Sequence, residues 1–233
     1  MKKLAIFVEG ATEVAFVDQL LRQMISAKKM CIDYLQASGG SKTPRRFTVV
    51  RATAHSPEQT FYIQIVDSGN DNRVASDIRD NYDGLVRSGF EAIIGIRDVY
   101  PVSRTDLATL RTGLRYKLRT KPTTVVFVLG VMETEAWFLA EHTHFPKIHP
   151  NLTINRIRWT LHFDPSTDDM QLRDCPHEDL HNVYAMEGLA YRKIGSQIQR
   201  TVRVLDYGRV YFDHVTKFPD VQTLIASLDT FLG

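Results

Sequence analysis

Five acidic residues stand where a buried strand gives way to a turn. Glu9 and Glu13 lie in Val8-Glu9-Gly10-Ala11-Thr12-Glu13, Asp98 follows the apolar run Ala92–Ile96, and Glu133 and Glu135 follow the run Thr123–Leu129. A charge at the end of a buried strand needs a partner. In open α/β sheets, sites lie beyond the C-terminal strand ends. Carboxylates brought together there repel one another unless a cation sits between them. Their hard oxygens suit Mg²⁺, which needs only a few of them and keeps several waters. Such an ion polarises a phosphate, and a neighbouring carboxylate orders or deprotonates water. Plainer roles compete. Glu13 can complement a helix dipole, and Glu133 and Glu135 can be ordinary first-turn acids.

A phosphodiester site also needs cations. Arg97, Arg104, Arg111, Arg115, Lys117, Arg119 and Lys121 form a basic segment beside Asp98. Arg104, Arg111 and Arg115 are expected to share a helix face, and Lys121 follows it. The functional reading is a nucleic-acid backbone track, to which Arg45, Arg46 and Arg51 could add. The plain reading is a solvated helix face. Tyr100 could stack on a base, whereas Trp137 reads as core.

Other signals are weaker. His177-Glu178-Asp179-Leu180-His181 matches the HExxH pattern of zinc proteases. Pro176 directly before it and the charge of Asp179 make a poor context, and Pro176 reads more simply as a helix start. Cys175, His177 and His181 could also hold a structural zinc. Asp67 reads as the acceptor of an Asx turn in the loop 67–72. There is no Walker A motif, no GxGxxG and no convincing Ser or Cys nucleophile.

The elements that must position these residues alternate. Leu4–Val8 reads as a buried strand. Thr12 then caps a helix from Glu13 to about Ala27, with Val14, Val17, Leu21 and Met24 at helical spacing. The segment 31–67 is β-rich: a strand at Ile32–Leu35, a loop at Ser38–Ser41, and Arg46–Ala52 paired with Phe61–Val66 as a hairpin. A helix over Val74–Arg87, a strand over Ala92–Ile96, a helix over Thr105–Leu118, a strand over Thr123–Leu129 and a helix over Glu133–Glu141 follow. Helices are also expected at 177–188 and 220–232. This predicts an α/β fold, a mainly parallel sheet flanked by helices with a β-rich insert at about 31–67. Residues 1–144 form the expected catalytic domain, and 145–233 a mostly helical C-terminal appendage.

Composition bounds the function. The chain has 233 residues, 43% hydrophobic and 24% charged, with a formal net charge of +2. That balance does not by itself imply a polyanion partner. Two cysteines, Cys31 and Cys175, give no disulfide scaffold and fit a reducing compartment. The apolar stretch before Glu9 is too short for a secretion signal, so a cytoplasmic protein with no membrane span is expected.

The first motif, Phe7-Val8-Glu9-Gly10-x-Thr12-Glu13-x-x-Phe16, resembles that of TOPRIM domains. It is closest to the small TOPRIM proteins and OLD-type nucleases of bacterial phage defence. The later order agrees, with Asp98 at a strand end and then Glu133-Thr134-Glu135-Ala136-Trp137. The resemblance spans roughly residues 3–141. It implies a TOPRIM-like fold and a nuclease, a hydrolase of phosphodiester bonds in RNA or DNA that binds Mg²⁺ or Mn²⁺. Glu9 would be the acid/base or metal-linked residue, Asp98 a metal ligand, and Glu13 a further ligand. Such relatives act as toxic effectors of antiviral abortive infection beside a partner ATPase, and suggest a homodimer. One departure stands out. The usual Asp-x-Asp is Asp98-Val99-Tyr100 here, so the shell is completed by Glu133 or Glu135, or by Asp67 at another strand end, or the site holds one ion. The alternatives are a decayed interaction module on the same scaffold and, more remotely, a zinc protease.

Overall fold

The computed structural model describes residues 1–40, 43–70 and 72–233. Ser41 of the expected Ser38–Ser41 loop and Asp71 of the expected 67–72 turn lie outside the described residues. The chain is α/β. Strands β1 (Lys2–Val8), β2 (Met30–Ser38), β3 (Arg46–Ala52), β4 (Phe61–Asp67), β5 (Ala92–Asp98) and β6 (Thr124–Gly130) form one sheet in the order β3-β2-β4-β1-β5-β6. β1 runs parallel to β4 and β5, and β4 parallel to β2, while β3 pairs antiparallel with β2 at the edge.

One expected pairing is overturned. Arg46–Ala52 and Phe61–Val66 are not a hairpin: β3 turns back on β2, and β4 inserts between β2 and β1. Burial supplies the reason. Ile63, Ile65 and Val66 of β4 are buried on both faces of the sheet, a demand only an interior strand meets. β3 exposes most of its residues, including Val49 and Val50, and tolerates the edge.

By compactness the chain divides into two units. One comprises residues 1–97, 108–128 and 223–233, the other 98–107 and 129–222. In the first, α2 (Val74–Arg87) lays Val74, Ile78, Tyr82 and Leu85 against Ala5, Phe7, Leu35 and Val66 of one sheet face. The helix α1 (Ala11–Met24) is tied to β2: Asp18 accepts from the Tyr34 hydroxyl at 2.5 Å and pairs with Arg22 at 2.9 Å. Arg45 binds the buried Asp77 of α2 through two bonds, at 2.9 and 2.6 Å. A fork bonded this way to a carboxylate is geometrically demanding. The helix α3 is Leu107–Arg115, shorter than expected, after a 3-10 turn at Arg104–Asp106.

The second unit is helical: α4 (Glu135–Ala140), α5 (Phe145–Ile148), α6 (Ile154–Leu161), α7 (Pro176–Ala185), α8 (Gly195–Val202), α9 (Tyr207–Arg209) and α10 (Val215–Lys217). A last helix, α11 (Pro219–Leu232), begins in this unit and ends in the first. Trp137, Phe138, Phe145, Leu180 and Tyr184 fill the helical unit's core. Trp137 is core, as the sequence suggests. Among the described residues no helix is long and apolar enough to cross a membrane.

Candidate metal centre

The site is assembled at a strand end and a turn. Asp98 is the last residue of β5. Pairing runs on past it, with Val99 N donating to Gly130 O at 2.9 Å and Tyr100 N to Met132 O at 2.8 Å. After β6 the chain turns through Met132, at φ 60°, and delivers Glu133 and then Glu135 in the first turn of α4. A non-glycine residue in this region is uncommon and is held there by its surroundings. Gly130 makes the turn fit: a Cβ on it would lie 2.6 Å from Asp98 Oδ1 and 2.8 Å from Thr134 N.

Asp98, Glu133 and Glu135 thus converge, with one ligand oxygen from each lying within 4.8 Å of the others. They are 4%, 5% and 0% exposed. Three carboxylates buried this deeply are costly unless bonded and balanced. Each is anchored by at least one oxygen. Asp98 Oδ1 accepts from Thr134 N at 2.8 Å and Thr134 Oγ1 at 2.9 Å. Glu133 Oε2 accepts from His177 N at 2.9 Å, and Glu135 Oε1 from the Tyr191 hydroxyl at 2.9 Å. The other oxygens face one ammonium. Lys193 Nζ lies 3.2 Å from Glu133 Oε1, 3.2 Å from Glu135 Oε2 and 4.0 Å from Asp98 Oδ2. His177 Nδ1 adds a contact of 2.7 Å to Glu133 Oε1.

The electrostatics follow. Burial alone would raise the Glu133 carboxyl, but the Lys193 ammonium and the His177 N–H and ring outweigh it and hold it below its ordinary value. The three carboxylates form a group of hard oxygen donors, the donor set that suits Mg²⁺, Mn²⁺ or Ca²⁺.

Among the described residues, Asp98, Glu133 and Glu135 are the expected ligands that form this group. Glu9 and Glu13 belong to the sheet unit. Glu9 is half-buried just beyond β1, and Glu13 is buried in α1, where its Oε2 accepts from Gly10 N at 3.1 Å. Gly10, not Thr12, is the N-cap, because Thr12 is already inside the helix. Arg97 is buried in β5. Arg104 does not share a helix with Arg111 and Arg115: it sits in the preceding 3-10 turn, pairs with Asp174 at 2.7 Å and donates to Arg173 O at 3.1 Å. Arg111 is half-buried, and Arg115 and Lys121 are exposed. Asp67 closes its Asx turn, accepting from Gly69 N at 2.8 Å. The rings of the HExxH segment are otherwise engaged. His177 faces Glu133, His181 Nδ1 accepts from Tyr191 N at 3.1 Å, and Asp179 binds Arg173. Among the described residues, Cys175, His177 and His181 form no group of three metal donors.

Sequence reasoning missed Lys193, Tyr191 and the site role of His177. The only local signal for Lys193 and Tyr191 is a Tyr-x-Lys alternation in a loop between helices, which names no partner. The sheet unit also carries an aromatic cleft of about 520 Å³, lined by Phe7, Phe47, His55, Tyr62, Gln64 and Phe90 among others, and none of the five acids lines it. Compared with known proteins, the chain matches no family model, no curated protein and no solved structure.

Proposed function

We propose that this chain is a divalent-metal-dependent phosphodiesterase acting on nucleic acid, with Asp98, Glu133 and Glu135 as the metal ligands. The observation that carries the reading is the paired division of labour in the cluster. Thr134, His177 and Tyr191 each fix one carboxylate, and each carboxylate has an oxygen within reach of the Lys193 ammonium, Glu133 Oε1 sharing it with the His177 ring. Such outer bonds orient ligands and sharpen affinity. A divalent ion bound there supplies polarisation of a phosphoryl oxygen and a more acidic bound water. The chain's own residues hold and orient. Thr134 fixes Asp98, the Tyr191 hydroxyl fixes Glu135, and His177 fixes Glu133. Two anionic ligands from one turn and one from the neighbouring strand tolerate a single ion without a second aspartate at Tyr100.

The phosphodiester substrate rests on the resemblance of the Glu9–Glu13 motif and on the exposed cations Arg115 and Lys121. The same resemblance adds Glu9 as an acid/base group, a partner ATPase, a homodimer and a role in antiviral defence to the proposal. Two free cysteines fit a cytoplasmic setting.

A second reading has its own observation. With Lys193 against all three carboxylates, the cluster could be a permanent ion-pair network on a silent interaction module. Cleavage of plasmid DNA and total tRNA by wild type and Glu135→Gln, with Mg²⁺ or Mn²⁺ and with EDTA, separates the two. The nuclease reading expects metal-dependent cleavage that the variant loses. Intact substrates together with no metal-induced rise in melting temperature favour the silent module.

A further inference from the structure

The cluster already holds a cation, and that cation is part of the chain. Lys193 reaches it from the loop between Tyr191 and α8. Arg192, Lys193 and Ile194 are exposed there, with Ile194 at 55%. Lys193 itself is at φ 52°, a region that L-residues other than Asn and Asp seldom occupy. The ammonium contacts Glu135 Oε2 and Asp98 Oδ2, and it shares Glu133 Oε1 with the His177 ring. The anchoring donors Thr134, Tyr191 and His177 do not depend on it. The carboxylates are therefore organised by one set of residues and neutralised by another, and the neutralising one hangs on an exposed loop.

Geometry makes the ammonium and a metal ion exclusive. Nitrogen sits 3.2 Å from two of the oxygens. Oxygens around Mg²⁺ lie at about 2.1 Å, so the same oxygens would close in by about 1 Å and leave no room for Nζ between them.

We propose that Lys193 is a built-in competitor for the metal centre: the ammonium and a divalent cation are alternative occupants, and metal binding expels the Lys193 side chain to solvent. This rests on the metal reading of Asp98, Glu133 and Glu135. The loop Arg192–Ile194 then keeps the centre closed at low metal concentration and is released when metal enters. The long, flexible lysine stem suits such an exchange, since it can swing away without unfolding the helices on either side.

Two measurements test this without using cleavage. Mn²⁺ affinity is measured by calorimetry for wild type and for Lys193→Met, which keeps the length and removes the charge. A competitor that fills the centre nine-tenths of the time weakens apparent affinity about tenfold, so the variant should bind Mn²⁺ about tenfold more tightly. In wild type, the rate at which acetic anhydride acylates Lys193 is followed by peptide mass spectrometry with and without saturating Mn²⁺. Acylation should rise several-fold with metal, and this readout stands alone if the variant does not fold. Equal or weaker Mn²⁺ binding by Lys193→Met overturns the proposal, as does unchanged protection of Lys193 in Mn²⁺-saturated wild type. In either case the metal centre itself would survive. If neither protein binds Mn²⁺, the metal reading falls and the competition falls with it. Binding by the variant alone supports complete competition.

Discussion

Gly130 shows how much a single side chain, or its lack, decides at the centre. Asp98 Oδ1 occupies the space a Cβ would need, and from there it accepts both Thr134 bonds. Gly130→Ala must push Asp98 or the turn aside. It is expected to cost about 1–3 kcal/mol of stability and, on the proposed metal reading, to abolish the thermal shift that metal binding would give. A variant as stable and as metal-responsive as wild type would mean that Asp98 is not held by this turn. At this scale the sequence was half legible. Carboxylates after buried strands announce themselves, because a charge there demands a partner. The partner does not, because Lys193 lies 60 residues from Glu133 along the chain and is one of many basic residues.

At the scale of elements, the first strand-to-helix turn carries a test of its own. Glu13 reaches back to Gly10 N, which satisfies one of the donors left open at the start of α1. Gly10 has no side chain with which to return the bond. Glu13→Ala should therefore destabilise the protein by about 1 kcal/mol, while Glu13→Gln, which keeps an acceptor, should stay close to wild type. Equal loss in both, measured by urea denaturation, would show that charge rather than capping matters. The strands teach a related lesson. Arg46–Ala52 and Phe61–Val66 look like a hairpin because both are strand-like and a Ser-Pro turn lies between them. The choice was made instead by burial: β4 has apolar residues on both faces and must lie inside the sheet, whereas β3 can stand at its edge. Periodicity names a strand far better than it names the strand's neighbour.

For the molecule as a whole, two buried histidines set a pH limit on stability. His144 bonds Glu141 O at 2.6 Å and the Tyr184 hydroxyl at 2.9 Å, and burial pushes it down to about 3. His214 faces Trp137 O at 3.0 Å and is pushed down to about 4, again by burial first. Both folded-state values lie below the unfolded one. Their contribution is fully present only well above the unfolded value of about 6.5, where neither state is protonated. Below it the unfolded chain takes up protons that the native state refuses. Stability then falls, until about pH 4 for His214 and about pH 3 for His144. By pH 5 each histidine should have removed about 2 kcal/mol. Urea midpoints at pH 7 and pH 5 measure the loss, and equal midpoints would mean that neither histidine is buried neutral. Neither residue stands out in the sequence, since a histidine's burial is a property of what packs over it. The same division holds throughout. Composition and periodicity by themselves determined an α/β chain with a mainly parallel sheet, the places where strands end, and the acids at those ends, because hydrophobic spacing and buried charge act locally. Only the tertiary structure decided that β4 enters between β1 and β2, that Asp98, Glu133 and Glu135 share one centre, and that Lys193 faces it. Those outcomes depend on which distant surfaces bury one another, and no short window of sequence contains both sides of such a contact.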